Sequence, residues 1–401
     1  MMRTPVSADS LFATLSGTVQ SWSADLIALS RSLHAEPELA WQEHASAEKV
    51  AVLAERAGFE VQRGVAGMTT ALIGEQGEEG GLPIALCIEY DALPEIGHGC
   101  GHNVNAASAL GAAIALGAVA EELGLRVKLI GTPAEEESGG KVDLIEAGAF
   151  DDVAVAAMVH AGGEDSYGGS SLAVSRWRVE YAGRPAHAAL APWAAVNALD
   201  AFTTAYTAIG VLRQQLPPGV VVSAVILEGG RAANVIPDLA VGEVEVRAAS
   251  SQVLRETQDR VRACLEAGAL ASGAQLTVKQ ASHDFAELRQ DVVLSAAYAA
   301  GIRRIGREAV DLAGEPIAST DMGNVSHLVP AIHPTIGYDV GGAVHHTAEF
   351  AERSASASAD RAVVDGALAL AFALATTASD PEQRQRLVDG QRSRGARRLP
   401  K

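Results

Sequence analysis

The sequence predicts an α/β protein of two domains, and three observations lead to this prediction. The chain has 401 residues, enough for two domains of ordinary size. Short apolar runs alternate with longer helical patterns, which is typical of helices that cover a largely parallel sheet. Between residues 172 and 284 the pattern changes to strands of alternating polar and apolar residues. We therefore expect a mixed, mostly parallel sheet domain that is interrupted by a smaller α+β domain.

Composition excludes several classes of protein. Hydrophobic residues make up 48% of the chain and charged residues 20%, the balance of a folded globular protein. The formal net charge of −18 repels phosphate backbones, so we expect no nucleic-acid partner. The cysteines are Cys87, Cys100 and Cys264. Such an odd, sparse set forms no disulfide framework and suits a reducing compartment, so we expect a cytoplasmic protein.

The larger domain is predicted to comprise residues 1–171 and 285–401. Apolar residues at helical spacing predict helices in the first 53 residues, and a small-residue helix is expected to end at Gly124. Three apolar runs predict buried strands: 83–90, 126–133 and 153–160. Their alternation with helices predicts the α/β sheet.

The two ends of the chain carry no predicted membrane or targeting segment. The apolar run at 366–378 is shorter than the roughly 20 residues that span a bilayer, so we expect a buried helix and no membrane partner. Ser, Asp and Thr interrupt the apolar residues near the N-terminus, unlike a secretory signal. The polar, Arg-rich stretch from Ser379 onward predicts a frayed tail.

The smaller domain is predicted to comprise residues 172–284. Its elements follow the order β-α-β-β-α-β, with helices at about 194–216 and 251–268. This order predicts a ferredoxin-like unit in which helices cover one face of the sheet.

The motif His98-Gly99-Cys100-Gly101-His102 follows a predicted strand. A thiolate and an imidazole together suit a metal such as zinc, and the glycines allow the backbone to turn tightly around an ion. The alternative is a glycine-rich turn in which the His and Cys are incidental.

A second motif, Glu135-Glu136-Glu137, follows the predicted strand 126–133. Adjacent carboxylates repel one another, so burying them is costly unless cations are present. One carboxylate can bind a metal while its neighbour takes a proton from water. Open α/β sheets bind ligands beyond the carboxyl ends of their strands, where this motif is expected. The alternative is a solvated acidic loop.

Further imidazoles follow the same pattern. His160 ends a predicted strand, and the pair His345-His346 follows a glycine-rich stretch. Taken alone, each of these signals favours a packed or exposed side chain over a ligand. Together, however, the four segments supply a thiolate, imidazoles and carboxylates at strand-to-loop junctions, enough for two metal ions that share a water. Paired metals activate water and stabilise an oxyanion, so this set predicts hydrolysis of an amide or ester.

The smaller domain offers three further candidates, each with two interpretations. His187 can donate to an oxyanion or cap the segment that it begins. Asn234 can bind a substrate carbonyl or carboxylate, or stabilise a turn before Pro237. Arg247 can bind a carboxylate or form a surface ion pair. The residues alone favour the structural interpretation of His187 and Asn234 and the ion pair of Arg247.

Taken together, the motifs resemble those of a known family. The motifs are Asp91-Ala92-Leu93-Pro94, Gly99-Cys100-Gly101-His102, Pro133-Ala134-Glu135-Glu136, Gly183 to His187, Asn234 to Asp238, and His346. The chain resembles the aminoacylase-type metallopeptidases, in the branch of hippurate, indole-acetyl-amino-acid and aminobenzoyl-glutamate hydrolases and related dipeptidases. The likeness runs from Ser32 to Phe350, and Ser319 to Ser326 looks most like the aminobenzoyl-glutamate hydrolase and dipeptidase subgroup.

The resemblance implies roles for individual residues. It implies two divalent ions per subunit, zinc or manganese with cobalt as a further candidate, and five ligands: Cys100, His102, Glu136, His160 and His346. It implies that Glu135 is the general base that activates the shared water and then passes the proton to the leaving amine. Asp91 would orient the site, and His187 would hold the oxyanion in the partner subunit's active site. Asn234 and Arg247 would lie near the substrate carboxylate.

The resemblance also implies an amidohydrolase that cleaves an N-acyl amino acid or a small dipeptide. It implies a homodimer in which the smaller domain is both lid and dimerisation surface. One motif departs from the pattern: the family usually has Arg-Ala-Asp-x-Asp before Ala-Leu-Pro, whereas residues 87–91 read Cys-Ile-Glu-Tyr-Asp. Whether Glu89 contacts a metal is left open.

Two other functions remain open from the sequence. One is a thiol hydrolase in which Cys100 is the nucleophile, activated by His102 or His98. The other is a non-catalytic metal-binding or peptide-binding protein on the same fold.

Overall fold

The structure, a computed structural model, describes residues 7–316 and 318–398. Its described residues divide into two compact units. The first comprises the chain up to Ser170, Leu288–Glu315 and the chain from Asn324 onward, and the second comprises Ser171–Glu287 and Pro316–Gly323. The predicted boundaries placed 316–323 in the larger domain. The segment joins the second unit because Leu172 N donates to Ala318 O at 2.8 Å and Ser319 Oγ donates to Leu172 O at 2.9 Å.

The α-helices of the described residues have the following bounds, in chain order: α1 Ala8–Ala35, α2 His44–Arg56, α3 His102–Ala118, α4 Ala120–Leu123, α5 Gly140–Glu146, α6 Ala198–Arg213, α7 Ser251–Ser272, α8 Val292–Arg304, α9 Met322–Leu328, α10 Ala348–Arg353, α11 Ala357–Ser379 and α12 Pro381–Arg398.

The strands of the described residues have the following bounds: β1 Glu60–Arg63, β2 Leu72–Gly77, β3 Leu82–Ile88, β4 Leu125–Gly131, β5 Val155–Ala157, β6 His160–Gly162, β7 Ser166–Tyr167, β8 Ala173–Ala182, β9 Val221–Glu228, β10 Leu239–Ala248, β11 Gln275–Gln280, β12 Val310–Asp311, β13 Ala331–Ile332 and β14 Thr335–Gly337.

The main sheet of the first unit has the order β1-β2-β4-β3-β5-β13. The pairs β3–β4, β3–β5 and β5–β13 are parallel, while β1 and β2 add antiparallel pairs at one edge. Every residue of β3 is buried, as expected of a central parallel strand between helices. The predicted mixed, mostly parallel sheet is confirmed.

One predicted strand is interrupted. Residues 153–160 were expected to form a single strand, but β5 ends at Ala157 and His160 begins β6, which belongs to a second sheet of order β12-β7-β14-β6. The chain changes partners here, because Met158 N donates to Ile332 O while His160 N donates to Pro334 O. His160 thus begins a new strand instead of ending a core one.

The C-terminal helices show one prediction confirmed and one wrong. Helix α11 is long and apolar enough to cross a membrane by length and composition, yet 78% of its apolar window is buried within the protein. This is the predicted core helix.

The predicted frayed tail is wrong, because Pro381–Arg398 forms α12. Asp380 accepts from Glu382 N and Gln383 N at its start, and Leu387 is buried; residues 399–401 lie outside the described part.

The second unit contains the elements β8-α6-β9-β10-α7-β11 in that order. Its sheet has the order β11-β8-β10-β9 and is antiparallel throughout. Helix α6 begins later than predicted, because Asn197 Oδ1 accepts from Leu199 N and Asp200 N and so caps it. The predicted ferredoxin-like unit is confirmed.

Candidate metal centre and active site

The carboxyl ends of two neighbouring strands form the base of the candidate site. Strands β3 and β4 are parallel and in register, with Ile88 opposite Gly131 at their ends. The chain after β3 therefore runs beside the chain after β4. This brings Glu89 and Asp91 close to Glu135 and Glu136.

A glycine sets the start of the helix that carries His102. Gly101 precedes α3 with a φ of 74°, a left-handed conformation that favours glycine. A Cβ at Gly101 would lie 2.5 Å from the Cβ of Ala161, closer than side chains can approach. The glycine thus allows the Cys100–His102 turn to lie against β6.

Two buried carboxylates hold the loop after β4. Ala134 is also left-handed, with a φ of 57°, and its N–H donates to Glu43 Oε1 at 2.8 Å. The Glu136 N–H donates to Asp91 Oδ2 at 2.9 Å. These two bonds orient the backbone on both sides of Glu135, the predicted general base.

His102 is held by one ring nitrogen and offers the other to the site. Its Nδ1 lies 3.0 Å from Asp91 Oδ1, a contact that the predicted orienting role of Asp91 requires. Its Nε2 lies 3.6 Å from Glu89 Oε2, 3.8 Å from Glu136 Oε1 and 4.0 Å from Glu135 Oε2. Among the described residues this buried Nε2 has no hydrogen-bond partner. A buried nitrogen in that state, facing carboxylates, is typical of a metal ligand.

The first group of potential ligands is Cys100, Glu136 and His346, whose ligand atoms all lie within 4.8 Å of one another. His346 Nε2 lies 3.6 Å from Glu136 Oε2. Two donor atoms bound to one tetrahedral zinc ion at its usual bond lengths are about 3.4 Å apart. The spacing of this group therefore fits a single cation.

Two further groups adjoin the first. Glu89, His102 and His160 form one, and His102, Glu135 and Glu136 form the other. Because Glu136 and His102 each belong to two groups, the groups are continuous. The structure thus brings all five predicted ligands together in a set whose donors and spacing fit two divalent ions.

The two neighbouring histidines behave differently. His345 Nε2 lies 3.0 Å from the Ala161 carbonyl oxygen, and its ring packs against Phe350 at 4.3 Å between centroids. His346 is left-handed, with a φ of 65°, and its side chain is 60% exposed. Of the pair, His345 is therefore packed, while His346 joins the ligand group.

The charge of the site is strongly negative. Four carboxylates, those of Glu89, Asp91, Glu135 and Glu136, lie together, and the buried Lys141 ammonium contacts Glu89 at 2.6 Å. Burial alone would lower the pKa of His102, but the Asp91 carboxylate and its neighbours raise it well above the ordinary value. The site therefore attracts positive charge, and a metal ion can take the place of that proton.

The environment of Cys100 bears on the alternative of a thiol nucleophile. Burial and the Glu136 carboxylate raise the pKa of the Cys100 thiol above its ordinary value. A nucleophilic cysteine needs a lowered pKa, which cationic neighbours provide. The neighbours of Cys100 suit a ligand that loses its proton when a cation binds better than they suit a nucleophile.

The predicted residues of the second unit are arranged differently. His187 and Asn234 are both exposed and lie on two adjacent segments, where Ala188 N donates to Asn234 O at 2.9 Å. Arg247 lies on β10 and contacts Glu245 at 2.6 Å and Ser319 Oγ at 3.2 Å. The roles of these three residues stay predictions, and Arg247 already has a carboxylate partner within its own unit.

Four residues that support the site were not predicted from the sequence. Glu43 holds Ala134, and Lys141 pairs with Glu89. Asn105 donates to Glu89 Oε2 at 3.2 Å and accepts from Ala161 N at 2.7 Å. The ring of buried His333 lies 5.3 Å from that of His160. Only Lys141 carried a signal: a cation in the first turn of a helix opposes the helix dipole and so indicates an acidic partner.

Comparison with known proteins agrees with this picture. The chain is 38% identical to the Xaa-Arg dipeptidase of Mus musculus over 384 residues, 91% of this chain and 87% of that protein. It is 34% identical to one component of the p-aminobenzoyl-glutamate hydrolase of Escherichia coli, over 58% of this chain and 53% of that protein. The fold is also that of a dinuclear metal-binding peptidase from Bacillus subtilis, with a TM-score of 0.67, 23% identity, and coverage of 89% of this chain and 98% of that one.

Residues 76–371 match Peptidase family M20/M25/M40, and this range includes both motifs that follow β3 and β4. The resemblance drawn from the sequence motifs is confirmed, as is the prediction of a hydrolase. This chain belongs to Peptidase family M20/M25/M40.

Proposed function

We propose that this protein is a metal-dependent amidohydrolase that cleaves the amide bond of a small dipeptide or an N-acyl amino acid. One observation carries the proposal. The Glu135 carboxylate, 11% exposed, lies 4.0 Å from His102 Nε2, a buried nitrogen with no hydrogen-bond partner among the described residues. Both residues belong to the continuous set of potential metal ligands. A carboxylate next to bound cations is suited to take a proton from water.

In this proposal Cys100, Glu136 and His346 would hold one ion, and His102 and His160 would hold the other. Bound divalent ions polarise a substrate carbonyl and lower the pKa of water. Glu135 accepts the proton of the attacking water and delivers it to the leaving amine, which balances the reaction. Asp91 keeps the His102 ring in place throughout.

The names of the relatives support an order in which substrates should be tested. The relative from Mus musculus that matches 91% of this chain is an Xaa-Arg dipeptidase, and the Escherichia coli relative, from an aminobenzoyl-glutamate hydrolase, matches 58%. We therefore rank dipeptides with a basic C-terminal residue first and N-acyl amino acids second. Both contain an amide next to a free carboxylate, so the same reaction serves either one.

A homodimer in the cytosol is part of the proposal. Strand β9 is an edge strand of the second unit, and its side chains Val221, Val225 and Leu227 are 49%, 48% and 54% exposed. An edge strand with exposed apolar residues favours pairing with a second chain. The predicted role of His187, to hold the oxyanion in the partner's active site, depends on this dimer.

The experiment that tests the proposal is a substrate screen with defined metals. Metal-free protein is reloaded separately with zinc, manganese and cobalt and assayed on Xaa-Arg and Xaa-Lys dipeptides, neutral dipeptides and N-acyl amino acids. We expect metal-dependent release of the free amino acid, fastest from the basic dipeptides. Activity that survives a chelator but is lost after alkylation of Cys100 would instead establish the thiol hydrolase. Metal binding without turnover on any substrate would favour the non-catalytic alternative.

A further inference from the structure

We propose that Glu89 is an additional ligand of the cation held by His102 and His160, and that Lys141 and Asn105 keep its carboxylate in place for that role. The inference rests on the proposed two-ion function, to which it adds a ligand and an order of metal binding.

The position of Glu89 meets the requirements of a ligand. Its side chain is fully buried at the end of β3, and one of its oxygens lies within 4.8 Å of ring nitrogens of both His102 and His160. The distance from Glu89 Oε2 to His102 Nε2 is 3.6 Å. It equals the 3.6 Å that separates His346 Nε2 from Glu136 Oε2 in the other group. Both distances are close to the separation of about 3.4 Å for two donors on one ion.

The other contacts of Glu89 leave room for a cation. Its Oε1 accepts from Lys141 Nζ at 2.6 Å, and its Oε2 accepts from Asn105 Nδ2 at 3.2 Å. An ionised carboxylate has about four acceptor sites. These two bonds therefore fix the plane of the carboxylate and still leave acceptor capacity on Oε2, the oxygen that faces His102.

Burying the ion pair of Glu89 and Lys141 costs free energy of folding, so we expect the pair to have a function. Glu89 and Lys141 are both 0% exposed. Taking an ammonium and a carboxylate out of water costs several kcal/mol for each ion, and an apolar pair of similar volume is often as stable. A ligand role supplies the reason: Lys141 keeps Glu89 ionised and oriented, so that the site is organised before the metal arrives. In keeping with this, burial alone would raise the pKa of Glu89, but the Lys141 ammonium and the nearby imidazoles of His102, His160 and His333 together offset burial and lower that pKa below its ordinary value.

The same lysine makes the two cation positions unequal. Cys100 and Glu136 offer two anionic ligands to the first ion, together with His346. On the other side the charge of Glu89 is shared with an ammonium 2.6 Å away. We therefore expect the ion held by Cys100 to bind first and more tightly, and the ion held by Glu89, His102 and His160 to bind second.

The test is a Co²⁺ titration of metal-free protein, followed by calorimetry and by the thiolate-to-cobalt absorption band that reports on the Cys100 side. The wild type should bind two ions, and the absorption band should saturate with the first. Glu89→Gln should keep the first ion and the band, and lose at least about 100-fold in affinity for the second. Lys141→Met removes the cation that keeps Glu89 ionised and in place, so it should still bind the first ion but bind the second less tightly than the wild type.

Two controls separate a ligand role from a structural one. The double variant Glu89→Gln/Lys141→Met leaves neither partner as an unpaired buried charge, so it should be more stable than Glu89→Gln yet still lack the second ion. The exposed Glu137→Gln, in the loop after β4, should bind both ions like the wild type.

Two outcomes overturn the inference, and they are distinguishable. If Glu89→Gln and the double variant bind two ions with wild-type affinity, Glu89 is only the counter-ion of Lys141, and the proposed hydrolase function stands. If the wild type itself binds a single ion, both the added ligand and the two-ion site are wrong, while the substrate screen still decides whether the protein is a hydrolase.

Discussion

The two units differ in whether their polar side chains have hydrogen-bond or ion-pair partners, or water, around them. In the first unit, buried His102 Nε2 has no hydrogen-bond partner among the described residues, although three carboxylates lie within 4.0 Å of it. In the second unit, Arg247 is already paired with Glu245, and His187 is exposed to solvent. Burial without a partner indicates that a ligand completes the group. Exposure or an existing partner gives no such indication. The side chains of the first unit therefore indicate where a ligand binds, and those of the second unit do not.

Replacing the predicted general base of the first unit is expected to have the largest effect on activity. Glu135→Gln keeps the size of the side chain but cannot accept a proton, so kcat should fall about 10²–10⁴-fold while KM and metal content change little. Steady-state kinetics together with metal analysis measure both quantities. Glu137→Gln, an exposed carboxylate two residues away, is the matched control and should retain wild-type kcat. Equal activity of the two variants would remove Glu135 from the mechanism.

A smaller effect is expected when the support of His102 is altered. Asp91→Asn keeps an oxygen near His102 Nδ1 but removes the charge that fixes the ring, so metal affinity or activity should fall about 10–100-fold. Calorimetric titration with zinc measures the change in affinity. Wild-type metal binding by Asp91→Asn would show that the 3.0 Å contact between Asp91 and His102 has no part in building the site.

Mixing two inactive variants tests whether the second unit contributes His187 to the active site of a partner subunit. If His187 acts in the partner's active site, Glu135→Gln and His187→Ala should each be inactive alone. A mixture allowed to exchange subunits should regain about a quarter of wild-type activity, because half of the dimers are mixed and each mixed dimer has one intact site. His187→Ala with full activity, or a mixture that stays inactive although its subunits exchange, would contradict the proposed role of His187.

The smallest expected effect concerns Glu43, which supports the loop of Glu135. Burial raises the pKa of Glu43 from 4.5 to about 7, so the folded state holds this proton more tightly than the unfolded state. Its contribution to stability is therefore complete below about pH 4.5 and is lost as the pH rises through about 7. Glu43→Gln cannot titrate, so relative to wild type its free energy of unfolding should improve by about 2 kcal/mol from pH 5 to pH 8.

Denaturant unfolding of metal-free protein at the two pH values measures this shift. Glu60→Gln, on the exposed strand β1, is the control and should show the same pH dependence as the wild type. A pH dependence of Glu43→Gln that matches the wild type would mean that Glu43 does not titrate in this range.

Much of the first unit could be predicted from the sequence because its signals are local. An apolar run followed by Gly, His and Cys, or by three Glu residues, predicts both a strand and the chemistry at its end. The parallel register of β3 and β4 then brings Asp91 close to Glu136 with no further information. The segments that carry the candidate ligands could be predicted for this reason, whereas the choice of the five individual ligands came from the resemblance to the family.

What the sequence did not predict depends on contacts that are distant in the chain. Lys141 reaches Glu89 from 52 residues away, and Glu43 reaches Ala134 from 91 residues away, so no spacing reveals either pair. Helix α12 is a different case. Asp380 and Pro381 are ordinary signals for the start of a helix, but the high polarity of the stretch outweighed them in the prediction.

Every proposal above requires that two adjoining groups of side chains bind two cations. Anomalous diffraction from crystals grown with manganese tests it most directly. We expect two peaks, one among Cys100, Glu136 and His346 and the other beside His102 and His160. A single peak under saturating manganese, or peaks that lie away from these residues, would contradict it.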